Sequence, residues 1–445
     1  MPTSGTADRA GAWQRARPVA QAPNRPAPSG RGRARNHGEP RREPHLFTAD
    51  PVPSSPPPAA TPPRVGTADW AGAWRRARPA VLAFAAARLA GIAVLTLWAH
   101  RRHTHPRDIL GLEWDALWYH RIAEWGYGTF IPSWEAPGLR YDDLAFFPLY
   151  PMAVRVLAAV LPIGSVTCAL LLSWVCALLA AWGVFAVTER AYGRRTATAV
   201  VVLWALLPHA IVLSMAYTEP MMTAFAAWAL YATMTRRWLA AGLLGALAGL
   251  SRPNGVAVCA AVVAAVLADA WHRRRTGRPQ QAAAWAAAAI APLGWCGYVL
   301  WVGFQTGEPL RGYFDVQSRW GSDFDFGHYA LHYVKHLVLS PDNLSAYMAT
   351  ALCAGAVLLL AMALMDRMPL PLLVYSAVLV VIALGGANFF SCKPRFLLPA
   401  FPLLAPCAGA LARARPRTTA LAVVTLAGIS LGYGTYVLAI VNQPL

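Results

Sequence analysis

Residues 113–127 read EWDALWYHRIAEWGY, and AFFPLYP follows at 145–151. A lone carboxylate, Asp115, stands beside Trp114, Trp118 and Tyr119, although water is where a charge is most stable. On a helical wheel Trp114, Trp118, Ile122 and Trp125 form one stripe, with Asp115 at its edge beside Ile122 and Tyr119, while His120 and Glu124 point away. An aromatic setting that withholds water from Asp115 suits a general base accepting a proton from a hydroxyl. The plainer alternative is an N-cap, an Asp placed before a helix to accept a backbone N–H.

The surrounding chain decides what kind of protein holds this stretch. Of 445 residues 57% are hydrophobic and 13% charged, and the apolar residues come in long blocks, as membrane proteins have them. The formal charge of +18 sits in the N-terminal part and in short connections. An orientation bias accounts for such connections without a nucleic-acid partner. The seven cysteines form no close pair, so neither a disulfide framework nor a zinc site is indicated.

Residues 1–78 are rich in Pro, Arg, Ala and Gly and read as a disordered cytoplasmic tail. Within them GTADRAGAWQRARP at 5–18 recurs as GTADWAGAWRRARP at 66–79. A membrane domain follows over 79–445. It carries about eleven apolar runs, a long first external loop near 100–166 with juxtamembrane helices, and a second near 305–344. The fold class is therefore an all-α polytopic membrane protein. The basic connections ERAYGRR, TRR, HRRRTGR and RARPR alternate with poorer ones, so they mark the cytoplasmic side, provided that 145–162 does not cross. The loop with Asp115, then YTEP at 217–220, SRPNG at 251–255 and NFFSCKPRF at 388–396, emerge together on the opposite face.

On that face Arg252, Lys393 and Arg395 stand at the mouths of apolar helices, where positive charge is scarce. Together they suit a phosphate, whereas snorkelling explains any one of them alone. Glu219 opens an apolar run as a helix-start acid does, or orients an acceptor. Asp142 and Asp143 read as a solvated turn. His103, His105, His328, His332 and His336 match no metal motif, and neither a metal nor a cofactor is expected.

These motifs form a resemblance. WDALWYHRIAEWGY with AFFPLYP resembles the first-loop signature of the PIG-V type of GPI mannosyltransferase II and its bacterial relatives, and YTEP, SRPNG and KPRFLLPAFPL are similar to that family's later motifs. The resemblance implies a GT-C glycosyltransferase fold. It also implies transfer of a sugar, usually mannose, from a polyprenyl-phosphate donor on the extracytoplasmic face, with an acid of the first loop as base, which maps onto Asp115. Arg252, Lys393 and Arg395 then take the donor phosphate, where cations favour the charge that builds on a leaving group. Glu219, Trp114, Trp118, Tyr119 and Asn254 are candidates for orienting substrate. One base and in-line attack invert the linkage. The composition suggests a bacterial cell membrane, with a lipoglycan, other glycan or protein as acceptor. The alternative is a lipid or sugar transporter, which also needs many helices and buried charge. No matching halves favour it, and the long first loop would be surplus.

Overall fold

The computed structural model describes residues 70–132 and 140–441. The first copy of the repeated segment and most of the expected tail lie outside the described residues. Eighteen α-helices follow one another among them. Near the expected first loop come α1 (Trp70–Arg101), α2 (Pro106–Gly111), α3 (Asp115–Trp125) and α4 (Leu149–Val160). A two-stranded antiparallel hairpin, β1 (Phe130–Pro132) with β2 (Arg140–Asp142), lies between α3 and α4.

Next are α5 (Ser165–Tyr192), α6 (Arg194–Ala205), α7 (Glu219–Met234), α8 (Trp238–Ser251), α9 (Val256–Arg275), α10 (Ala282–Ile290) and α11 (Leu293–Thr306). The chain closes with α12 (Gly312–Arg319), α13 (His328–Leu339), α14 (Leu344–Met365), α15 (Leu370–Gly385), α16 (Lys393–Leu397), α17 (Ala405–Arg413) and α18 (Pro416–Thr435).

Six helices are long and apolar enough to cross a bilayer, and a seventh span is possible if the pair bent by 81° at 397–401 counts as one. The chain is a multi-pass, all-α membrane protein. Of the about eleven apolar runs, several form helices of 12 to 16 residues, such as α6 and α7. At 1.5 Å per residue these fall short of a core about 30 Å thick. The 12-residue α4 is likewise too short to cross straight. Helix α1 begins at Trp70, ahead of the boundary expected at 79. It takes in most of the second repeat copy, where Trp74 packs on Trp182 at 5.3 Å and Arg76 pairs with Glu189 at 3.2 Å.

Between membrane helices small residues permit close approach. A Cβ added at Gly183 of α5 would stand 2.8 Å from Ala227 of α7, and one at Gly242 of α8 would stand 2.8 Å from the backbone of Ala287 in α10. The tight α5–α7–α8 group carries the YTEP and SRPNG turns at its ends, so backbone packing sets where those polar residues emerge.

Candidate active site

Why the two opening motifs occur together is visible in their packing. Trp118 stacks on Phe146 at 5.6 Å, and Tyr119 meets Phe146 and Tyr150 edge-on, both at 5.3 Å. Tyr150 in turn donates to Ala169 O at 2.8 Å on α5. The aromatic residues of α3 thus fasten the first loop to the membrane bundle through AFFPLYP. Trp320, just past α12, packs on Trp118 at 5.1 Å and donates to Asp142 O at 3.0 Å, which adds the second long loop to the same cluster.

The expected stripe needs correction at both ends. Trp125 is 66% exposed, and Trp114 is not in the helix. It is the residue before α3, with φ 53° and ψ −121°, where a side chain is strained. Asp115 is the first helical residue and is not an N-cap. Its carboxylate instead reaches Arg395, Oδ2 to Nη1, at 2.8 Å.

From that pair a chain of alternating charge runs inward. Arg395 Nε lies 3.4 Å from Glu219 Oε1, and Arg252 Nη1 lies 2.5 Å from the same oxygen. Arg252 Nη1 also donates to Thr218 Oγ1 at 3.1 Å, and Thr218 shares a 3.2 Å hydrogen bond with the Tyr119 hydroxyl. Both guanidinium groups lie over the Phe396 ring, at 5.3 Å for Arg252 and 5.0 Å for Arg395, and Arg395 also covers Tyr217 at 5.2 Å. Four motifs distant in sequence therefore meet in one cluster of two cations and two anions.

Burial grades the four. The Glu219 side chain is fully buried, those of Arg252 and Arg395 are 7% exposed, and that of Asp115 is 24% exposed. Glu219 does not cap its helix from outside; it holds both arginines in an environment where an unpaired charge is costly. Asp115 is the most exposed member of the cluster. Burial pushes the Tyr119 phenol's pKa well up, so it stays protonated. Among the remaining substrate-orienting candidates, the buried Trp114 Nε1 and Asn254 Nδ2 have no protein partner among the described residues. Each can donate to a bound oxygen.

Two residues stand in other surroundings than expected. Lys393 does not join Arg252 and Arg395. Its Nζ donates to Ala383 O at 2.9 Å and Gly386 O at 2.5 Å, so it satisfies the last carbonyls of α15, where a cation meets the helix dipole. Asp143 is not in a solvated turn. It is fully buried and accepts from Thr129 N at 2.7 Å and Gly128 N at 3.0 Å, clamping the hairpin. Burial raises its pKa, and those two amides offset only part of the rise. Asp142 does act as a turn residue, accepting from Leu144 N at 3.1 Å.

Sequence reasoning missed Thr218, Tyr217 and Phe396, although all three lie inside quoted motifs, because their part is to seat the arginines. Among the described residues no three His, Cys, Asp or Glu side chains gather as metal ligands would.

The sequence pattern of the family described as dolichyl-phosphate-mannose-protein mannosyltransferase matches residues 148–295, a third of the chain. Glu219 and Arg252 fall inside that stretch, and Asp115 and Arg395 outside it. Similar solved structures include ArnT from Cupriavidus metallidurans bound to undecaprenyl phosphate, at 17% identity and TM-score 0.48, over 78% of this chain and 62% of that one. Another is the Archaeoglobus fulgidus oligosaccharyltransferase tethered with an acceptor peptide, at 13% identity and TM-score 0.44, over 81% and 55%. The chain spans about three fifths of the length of these proteins. No curated protein sequence matches it. The helical multi-pass architecture bears out the all-α polytopic fold class, and the family match over a third of the chain agrees with its glycosyltransferase part. It does not extend to the PIG-V type, which rests on the quoted motifs alone.

Proposed function

We propose that this protein is a membrane glycosyltransferase that moves a sugar, mannose in the first instance, from a polyprenyl-phosphate donor to a hydroxyl of an extracytoplasmic acceptor. The observation that carries this reading is the buried Asp115–Arg395–Glu219–Arg252 cluster, open on the Asp115 side. The mannosyltransferase pattern matched across Glu219 and Arg252 supports the choice of sugar donor.

In this mechanism the donor phosphate approaches Arg395 from the exposed side and takes the guanidinium contact that Asp115 holds in the free enzyme. Glu219 stays behind both arginines and fixes their planes. The released Asp115 then accepts the proton of the acceptor hydroxyl as its oxygen attacks the anomeric carbon. The bond from that carbon to the phosphate oxygen breaks, its electron pair leaves with the polyprenyl phosphate, and Arg395 and Arg252 stabilise the added charge. Attack opposite the leaving group inverts the linkage. Asp115 thus becomes an available base only when a donor occupies the site, and the step as written uses no metal.

The test is genetic and chemical. Lipid and glycan profiles of a deletion strain are compared with those of strains complemented by the wild type and by Asp115→Asn. A mannose-bearing envelope product should disappear on deletion and return with the wild type only. An unchanged profile, or full restoration by Asp115→Asn, would overturn the reading.

A further inference from the structure

At the end of the bundle that carries the basic connections, a groove of about 740 Å³ opens between α6 and the α17–α18 corner. None of its lining residues belongs to the Asp115 cluster, and the mechanism above makes no use of it. Its volume falls within the range of about 300–1,000 Å³ usual for small-ligand sites. Both walls become apolar away from their helix starts. On α6 the lining passes from Arg194 and Arg195 at the helix start to Thr198 and then Val202, and on α18 from Thr419 near the helix start to Val423. The hydroxyls of Thr198 and Thr419 bond back to Arg194 O at 3.2 Å and Leu411 O at 3.3 Å, so they lie quietly against apolar surface. Arg194 and Arg195 are exposed and make no ion pair among the described residues. The adjoining corner adds exposed Arg413, Arg415 and Arg417, and no acidic residue occurs in 191–200 or 405–420.

We infer that this groove binds an anionic glycerophospholipid, with the phosphodiester at Arg194 and Arg195 and an acyl chain lying down the wall toward Val202 and Val423. A charged mouth above an apolar trough at a helix end fits an amphiphile. A free phosphate would leave the trough unfilled, and a neutral chain would leave the arginines unanswered. A zwitterionic lipid offers no net charge to the basic corner. The selectivity is therefore for net negative headgroups.

The experiment uses the full-length protein in phosphatidylcholine vesicles doped with a photoactivatable phosphatidylglycerol. Crosslinks are expected at 194–202 and 411–423, displaced by unlabelled phosphatidylglycerol and not by more phosphatidylcholine. Arg194→Ala with Arg195→Ala should weaken apparent binding by about 25-fold, at the usual strength of a basic side chain near an anionic surface. Val202→Trp, which fills the trough without changing charge, should also abolish the crosslinks. Arg273→Ala with Arg274→Ala, on another basic connection, should leave them intact and so separates the groove from general attraction to anionic lipid. Competition by phosphatidylcholine, indifference to Val202→Trp, or stronger displacement by a polyprenyl phosphate would each overturn the inference.

Discussion

The carboxylate of Asp115 meets the guanidinium of Arg395 at 2.8 Å, joining the first long loop to the last polar motif of the chain. Since Arg395 also leans on Glu219 at 3.4 Å, the candidate base and the candidate phosphate site are neutralised by one another in the free protein. In the proposed mechanism an entering phosphate exchanges partners with Asp115, and this exchange has measurable consequences.

Asp115→Asn removes the proton acceptor and half of the charge that occupies Arg395. Transfer should fall by about 10²- to 10⁴-fold, the range for loss of a general base, while the donor binds more tightly because the guanidinium is freed. Turnover and donor affinity, measured on the same reconstituted sample, should thus move in opposite directions. Unaltered turnover would remove Asp115 from the chemistry, and weaker donor binding would remove the partner exchange.

For Glu219→Gln the expectation is structural. The change leaves two guanidinium groups, each 7% exposed, with one carboxylate between them. Breaking a buried pair typically costs about 3–5 kcal/mol, so thermal unfolding in detergent should begin several degrees lower. A stability equal to wild type would mean that solvent reaches the arginines and that Glu219 is not their support.

The meeting of Asp115, Glu219, Arg252 and Arg395 was legible from sequence as a shared face, because connection charge alternates along the chain and aromatic and polar motifs fell on one parity. Their pairing was not. A list of cations on one face does not say which of them a nearby acid neutralises, and so Arg252, Lys393 and Arg395 looked alike. Lys393 differs because it stands at the start of a short helix facing the end of α15, a relation set by the fold around 386–392 and by no local pattern. Asp143 misled for a similar reason: paired acids beside an aromatic run resemble a wet turn until the hairpin amides of Gly128 and Thr129 close on one of them. Apolar run length also does not reveal where a helix breaks, as the segment 390–413 does at 81°.

Replacement of Lys393 by Met separates the two kinds of cation. A charge satisfying helix-end carbonyls contributes up to about 2 kcal/mol, so Lys393→Met should lower thermal stability and leave the donor KM within about twofold of wild type. Arg395→Gln should instead raise the donor KM by tenfold or more, as expected when a charge-assisted contact to phosphate is lost. If Lys393→Met raised the donor KM as Arg395→Gln does, the lysine would belong to the phosphate site after all.

Trp114 offers a test of how Asp115 is held. With φ 53° and ψ −121°, its backbone occupies a region that suits glycine, and a side chain there costs about 1–3 kcal/mol. Trp114→Ala and Trp114→Gly both delete the indole, but only the glycine relieves the backbone. At ordinary positions glycine is the less stable of the two by about 0.5–1 kcal/mol; here Trp114→Gly should unfold at the higher temperature. Transfer should follow the reverse order, because a relaxed backbone immediately before α3 no longer fixes the direction in which Asp115 leaves the chain, and a base must be placed before its proton affinity matters. Were the alanine variant the more stable, the strain would be absent and the orientation of Asp115 would depend on its contact with Arg395 alone.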